Sequence, residues 1–306
     1  MSDAEWHEWR RAGIGGSDIA GLLMPGKWSS PWKIWAEKCG LLEPIESTDR
    51  QRIGKRMESV LSAEFEDARP GLFVVGEQTW CTHKEHPWAR CTVDGFVAEA
   101  PWIDLGNGDL EPNADPTLLG IFEGKTDGRF GWDEVPAPYR AQCMWNMGVT
   151  GLRSAFVAVM FAGFRFEVFE IEFDQAEWDL MLDVAGAFWH EHVLTGVPPL
   201  ADGSEATSDA LAAAYPEHVP GVEVALDDLW DLLDRRQRFM EAAKIGDKEI
   251  AEMNNTIKAR LADAEVGTVG GVPVLTYRAS ERKGYYVEPT TVRVLRAAPK
   301  PKDRKP

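Results

Sequence analysis

What this chain lacks narrows it first. It has no uninterrupted apolar run of 18 residues, which excludes a hydrophobic membrane-spanning helix. Its N-terminus, MSDAEWHEWRR, is polar and has none of the apolar core of a signal peptide. Cysteine is scarce: the four residues 39, 81, 91 and 143 are scattered, and only 81 and 91 lie near one another. Such a set is expected to remain as free thiols in a reducing compartment rather than form a disulfide framework. Basic residues are also in deficit, 33 Lys and Arg against 50 Asp and Glu, for a formal net charge of −17. That balance speaks against a protein that coats nucleic acid non-specifically, because such binding rests on many Lys/Arg–phosphate contacts. It still allows an enzyme that grips DNA locally and uses metal ions to offset its own carboxylates. No internal repeat is present.

What is there is an ordinary globular composition, 44% hydrophobic and 27% charged, over 306 residues. This is enough for one large domain with a smaller appendage. The pattern places the main domain at 1–198 and a Pro/Gly/Ser-rich linker at 199–225. A charged helical stretch, expected to bend or break near Gly246, and a small β unit (GTVGGVPVLTYRAS, GYYVEP) occupy 226–297. The basic residues 298–306 are expected to be a disordered tail.

Within the main domain, GIGGSDIAGLL at 13–23 reads as a glycine-rich turn opening a helix, with Ser17 or Asp18 as N-cap. The N–H groups at such a start favour an anion, and Arg10, Arg11 and Ser17 would complete a phosphate seat. The plainer reading is a capped helix after a turn. Residues 30–42 form a second helix, closed by Gly40, with Trp32 and Trp35 in the core. The helix at 53–68 sets Ile53, Met57, Val60 and Leu61 on one side. Glu58 there either shares a buried edge with Leu61 and Phe65 or is a surface charge beside Lys55.

Strand-like segments follow at 73–82 and 89–100, then a loop at 104–117 and the strand LLGIFEGKT. A helix is expected from Tyr139, with Gln142 in its first turn, followed by a hairpin at 155–173 and a helix at 174–195. Cys81, His83, His86 and Cys91 are close in sequence, but C-x-H-x2-H-x4-C fits no common structural zinc pattern.

The chemistry gathers on two strand ends. Side chains alternate along a strand, so Glu123 and Lys125 point the same way, and Asp94 ends an earlier apolar strand. Carboxylates at Asp94 and Glu123, with the Gly124 carbonyl, suit Mg²⁺, which takes hard oxygen ligands and keeps several waters. Glu58 would enter through a water or a second ion. Lys125 would orient or deprotonate an attacking water, with either one or two metals present.

The order RRAGIGGSDIAGLL, IWAEKCGLL, GKRMES, TVDGF, FEGKT and PYRAQ resembles the YqaJ-type viral recombinases. These are phage alkaline exonucleases similar to lambda exonuclease, within the PD-(D/E)xK restriction-endonuclease-like superfamily. The likeness covers about 10–195, and the C-terminal helical stretch looks like a YqaJ-type extension. The resemblance implies an α/β (α+β) fold, a central mixed sheet flanked by helices. It implies metal ligands at Asp94 and Glu123, a helix carboxylate at Glu58, a catalytic lysine at Lys125 and an active-site glutamine at Gln142. Ser17 and an arginine at 10 or 11 match the pocket for the DNA 5′-phosphate. The implied activity is Mg²⁺-dependent 5′→3′ digestion of double-stranded DNA, with Mn²⁺ as a substitute, leaving a 3′ overhang for a single-strand annealing protein. The implied setting is the bacterial cytoplasm, with a phage or prophage gene, and some relatives are trimeric rings. In one departure, glycine stands at 124 where the family usually has an apolar residue. A RecB-like or Cas4-like nuclease, an endonuclease, or a non-catalytic binding protein on the same fold are the alternatives.

Overall fold

The computed structural model describes residues 3–42, 48–99, 102–104, 110–112, 116–281, 293 and 295. They fall into two compact units, Met1–Pro216 and Glu217–Pro306.

The first unit opens with helices α1 (Asp3–Arg11), α2 (Gly16–Leu23), α3 (Pro31–Lys38) and α4 (Asp49–Ala68). The segment expected as one strand at 73–82 is two, β1 (Leu72–Val75) and β2 (Thr79–Thr82). Gly76 and Gln78 between them take left-handed backbone angles, φ 66° and 52°, which turn the chain out of the first strand. The 89–100 segment also divides, into β3 (Arg90–Val93) and β4 (Gly95–Glu99), and the residue at the break is Asp94. At the start of the expected loop and inside it, β5 (Trp102–Asp104) and β6 (Leu110–Pro112) form a short antiparallel pair. Then come β7 (Thr117–Asp127), α5 (Ala137–Thr150), β8 (Ser154–Phe161), β9 (Phe166–Glu172) and α6 (Gln175–Phe188).

The sheet order is β1-β4-β7-β8-β9. Only β7 and β8 run parallel, joined through α5, and β2–β3 form a separate ribbon with Cys81 opposite Cys91. Successive β7 residues face opposite layers. Phe122 joins Leu61 and Phe65 of α4, with Val97, Phe156 and Ala158. Ile121 instead joins Ile19, Ile34, Trp145 and Met181, from α2, α3, α5 and α6. The sheet is therefore covered on both faces, and β8 is buried from Ala155 through Val159.

Trp32 and Trp35 are core residues, as the sequence suggests. On α4 the buried stripe is Leu61 and Phe65, one turn apart, whereas Ile53 and Val60 are exposed. Val60 follows an adjacent position, about 100° around the helix from Leu61, so it points away from the sheet. Helix α5 begins at Ala137, two residues before Tyr139, because Pro138 is tolerated in a first turn where its missing N–H has no partner to lose. Gln142 therefore lies in the second turn.

The stretch expected as a linker contains a helix, α7 (Glu205–Ala214). Ser204 caps it by accepting from Thr207 N at 3.1 Å, and Thr207 Oγ1 donates to Ser30 Oγ at 2.8 Å. Ala206 and Ala210 are buried, so this helix is part of the first unit. Its Ala-rich run is strongly helix-forming, and the Pro, Gly and Ser around it masked that.

In the second unit, α8 (Trp230–Leu261) runs unbroken through Gly246. One glycine costs a helix only about 1 kcal/mol relative to alanine, too little to break 32 residues. An antiparallel pair follows, β10 (Val266–Val269) and β11 (Val272–Thr276). The GYYVEP segment and the tail at 298–306 lie outside the described residues. Among those described, no helix is long and apolar enough to cross a membrane.

Candidate active site

Strand β7 carries the centre of the site. Glu123 and Lys125 share one face, as alternation requires, and the Lys125 ammonium hydrogen-bonds Glu123 Oε1. Gln142 comes down from α5 and donates from Nε2 to the same oxygen at 2.7 Å. Tyr139, one turn earlier, presents its ring to Lys125, with Nζ 5.0 Å from the centroid. Glu123 is 1% exposed, and its second oxygen, Oε2, is buried without a hydrogen-bond partner.

Asp94 arrives from the joint between β3 and β4. Its Oδ2 accepts the N–H of Gly124 at 2.9 Å. A strand residue directs its N–H and C=O to the same edge, so the Gly124 carbonyl also faces the Asp94 side. Glu58 approaches on α4, the helix covering the opposite face from Glu123, and accepts from Gln78 Nε2 at 2.8 Å. Gln78 also donates its backbone N–H to the Asp94 carbonyl at 3.3 Å, so one left-handed residue contacts both acids.

Packing three carboxylates around one ammonium shifts all four groups. Burial, with the charge of Asp94 behind it, raises Glu58 to about 7. Glu123 is raised to about 7 by burial, against the pull of Lys125. Asp94 is raised by burial, partly offset by Lys125 and the Gly124 N–H. Burial would lower Lys125, but the attraction of Glu123 and Asp94 outweighs it and holds the ammonium above its ordinary range. The lysine is firmly charged while its acids are reluctant to be.

The glycine-rich turn forms a second cluster. The N-cap of α2 is Gly15, not Ser17 or Asp18; Asp18 sits one turn in and accepts the Gly15 N–H at 2.9 Å. Asp18 also pairs with the buried Lys38 at 2.6 Å, which in turn donates to the Arg10 carbonyl at 2.9 Å. Arg10 donates to Ser17 Oγ at 3.0 Å and reaches Asp18 at 3.5 Å. Of the two arginines, Arg10 joins the turn; Arg11 is exposed and makes none of these contacts among the described residues. Gly16 abuts α5: a Cβ there would fall 2.4 Å from Asn146 Oδ1 and 3.0 Å from Gln142 Cγ. The turn and the carboxylate cluster are thus mounted on one helix, α5.

Among the described residues, no three His, Cys, Asp or Glu side chains converge as a metal-ligand set. His83 and His86 stack on each other instead, with ring centroids 5.1 Å apart. Asp94 and Glu123 nonetheless fit a hard cation that brings its own water. Glu123 Oε2 is unsatisfied in the interior, where an unpartnered carboxylate oxygen is costly, and the two acids offer oxygen ligands. Sequence reasoning did not reach Tyr139, Gln78 or Asn146. Tyr139 was within reach, three residues before Gln142 on the same helical face.

The fold is a mixed sheet flanked by helices, with two acids and a lysine beside its parallel pair. Residues 5–153 match the YqaJ-like viral recombinase domain. The match closes just before β8, so the last two sheet strands and α6 lie beyond it. The chain is 28% identical over 302 residues to the uncharacterized protein YqaJ of Bacillus subtilis (strain 168), covering 92% of this chain and 87% of that one. Similar solved structures include an alkaline exonuclease from Laribacter hongkongensis, at 17% identity and TM-score 0.48, covering 63% of this chain and 94% of that one. Another is a phage related exonuclease from Haemophilus somnus 129PT, at 10% identity and TM-score 0.43, covering 62% and 99%. With TM-scores below 0.5, the fold is read from the sheet itself and from the domain match.

Proposed function

We propose that this chain is a metal-dependent deoxyribonuclease that digests double-stranded DNA from 5′ ends, in the 5′→3′ direction. The observation that carries the reading is the gathering of Asp94, Lys125 and Gln142 about Glu123, whose Oε1 is held by Lys125 and Gln142 while its Oε2 is left unsatisfied. The YqaJ-like domain match supports it. Asp94, Glu123 and the Gly124 carbonyl would hold Mg²⁺, or Mn²⁺ in its place, with Glu58 joining through a water or a second ion. When bound, the ion supplies Lewis-acid charge neutralisation and a more acidic water.

The chain's own groups do the rest. Lys125, between Glu123 and the ring of Tyr139, orients or deprotonates the attacking water and offsets charge on the phosphate. Gln142 fixes the Glu123 carboxylate by holding one oxygen, which leaves the other for a ligand. The N-terminus of α2, with Arg10 and Ser17, receives the terminal phosphate, and the contact of Gly16 with Gln142 sets the distance between the held end and the acids. This local grip answers the net charge of −17: a seat of a few groups, not a basic surface, holds the substrate. The remaining 3′ overhang suits a single-strand annealing protein in a bacterial cytoplasm. Assembly as a ring would concentrate the few basic groups around the duplex.

The test is digestion of linear duplex labelled on one strand, with 5′-phosphate or 5′-hydroxyl ends, beside a closed circle. Mg²⁺-dependent, EDTA-sensitive loss of the 5′-phosphorylated linear form, absent in Lys125→Ala, is the expected result. If purified protein leaves that duplex intact with both Mg²⁺ and Mn²⁺, the reading fails. Cutting of the circle would identify an endonuclease instead.

A further inference from the structure

Asn146 is 1% exposed, yet neither its Oδ1 nor its Nδ2 has a hydrogen-bond partner. A carboxamide enclosed in this way is costly to leave unpaired, and a side chain kept there needs a partner that arrives from outside. It faces Gly16, the first residue of α2, closely enough that a Cβ on Gly16 would collide with Oδ1 at 2.4 Å. The N–H groups of Gly16 and Ser17 are the opening donors of an eight-residue helix and, among the described residues, donate to nothing. The start of α2 and the turn of α5 that faces it thus carry three unsatisfied polar groups among the described residues. Of the acids beside them, Asp18 is paired with the buried Lys38 at 2.6 Å, and the half-buried Glu37 lies within electrostatic reach of Asp18, Arg10 and Lys38. Arg10 and the Ser17 hydroxyl stand at the open side.

We propose that Asn146 is the specificity-determining residue of this seat, its carboxamide N–H donating to an oxygen of a terminal phosphate monoester held by the Gly16 and Ser17 N–H groups. The assignment of the amide nitrogen and oxygen is interchangeable by rotation about the last side-chain bond, so a donor is available toward Gly16. Depth selects the ligand. A monoester can present three free oxygens to a group recessed beneath Gly16. An internal phosphodiester, flanked by sugars on both sides, stays at the level of Arg10 and Ser17. A 5′-hydroxyl end leaves Asn146 as it is now, buried and unpaired. Asn146 lies one turn beyond Gln142 on α5, so the helix that reads the end also carries the contact to Glu123. The inference rests on the proposed reading of α2 as a DNA-end seat and adds the residue that tells one kind of end from another.

The experiment is fluorescence anisotropy on the full chain in EDTA, using a hairpin duplex with either a 5′-phosphate or a 5′-hydroxyl. Wild type is compared with Asn146→Leu and Asn146→Ser, each checked for folding by circular dichroism. Wild type is expected to bind the phosphorylated end more tightly, and the ratio of the two Kd values is expected to fall about tenfold in both variants. A folded variant that keeps the wild-type ratio overturns the proposal, and so does a wild type with no preference, a result that needs no variant. Digestion of the same hairpins in Mg²⁺ is followed in parallel. No digestion with the binding ratio intact sinks the nuclease reading and leaves the end-reading role of Asn146 standing.

Discussion

The backbone N–H of Gly124 donates to Asp94 Oδ2 at 2.9 Å, so an acid from one strand end is fixed by the main chain of another. The glycine is there for room as well: a Cβ at 124 would lie 3.0 Å from Leu61 Cδ1 and 3.8 Å from Asp94 Oδ2. Leu61, fully buried on α4, fills the volume that an apolar side chain at 124 would otherwise occupy. Gly124→Ala is expected to cost about 1 kcal/mol in chemical denaturation and to lower the rate of cleavage. Leu61→Ala combined with Gly124→Leu is expected to recover part of the lost activity. If the double variant is as inactive as Gly124→Ala plus an emptied core would be, Leu61 is not the compensating side chain.

Lys125→Ala removes the only cation facing Glu123 and Asp94 at close range among the described residues. Cleavage is expected to drop about a thousandfold, the loss typical of a group that stabilises developing charge. Lys125→Arg is not expected to restore it, because the planar guanidinium cannot take the place of a compact ammonium between Tyr139 and Glu123. Single-turnover rates on 5′-phosphorylated duplex measure both.

Gln142→Ala leaves Glu123 with Lys125 alone on Oε1. Affinity for the activating ion is expected to fall about tenfold, the usual effect of removing an outer partner of a metal-binding carboxylate. Titration of Mn²⁺ by calorimetry, with Asp94→Asn as a reference, separates this from a loss of folding.

Stability and pH are linked with a definite sign. Glu58 and Glu123 have folded-state values near 7 against an ordinary value of 4.5, and Asp94 is also raised. Between those limits the folded metal-free protein holds more protons than the unfolded chain, so stability falls as pH rises from about 4.5 to about 7, then levels. Melting curves without divalent ions are expected to give a higher Tm at pH 5 than at pH 8, and Glu123→Gln is expected to flatten the difference. Added Mg²⁺ is expected to raise Tm more at pH 8, where protons no longer compete for the carboxylates. A metal-free Tm that climbs from pH 5 to pH 8 would contradict the shifts.

The α7 helix gives a test of where the first unit ends. Thr207→Val removes the bond to Ser30 Oγ, itself fully buried, and is expected to cost about 1 kcal/mol. A chain cut after residue 198 loses that bond together with the buried Ala206 and Ala210, and is expected to aggregate; a cut after Pro216 is expected to stay soluble.

The legible parts of this molecule are those that depend on local period. Glu123 and Lys125 share a face because a strand alternates, and Glu58 keeps register with Leu61 and Phe65 because a helix turns every 3.6 residues. Even so, periodicity set Ile53 and Val60 on one side with Leu61, yet they are exposed, since an apolar residue does not announce which side of α4 meets the sheet. The break at Asp94 was not legible as a break: an alternating run from 89 to 100 looks the same whether it pairs with one neighbour or changes sheets midway. Gln78 was out of reach because its importance lies in a left-handed backbone and two partners distant in the chain. Asn146 looked like an ordinary polar helix residue; only packing shows that nothing satisfies it. The linker at 199–225 was misread because its composition was averaged over a stretch that holds ten residues of packed helix.

The pairing of β4 with β7 ends at Gly95 and Phe122, while β8 follows β7 on its other side as far as Asp127. Among the described residues, Gly124–Asp127 therefore has no strand partner on its β4 side, and there the Gly124 N–H is taken by Asp94 Oδ2 instead. A lysine and an acid stand along it, and charged side chains are the usual means by which such a border is kept from recruiting a copy of itself. Lys125, proposed for cleavage, thus stands where a charge also discourages self-association. In variants that strip Lys125 of charge, solubility is expected to be a property of the site as much as lost activity is.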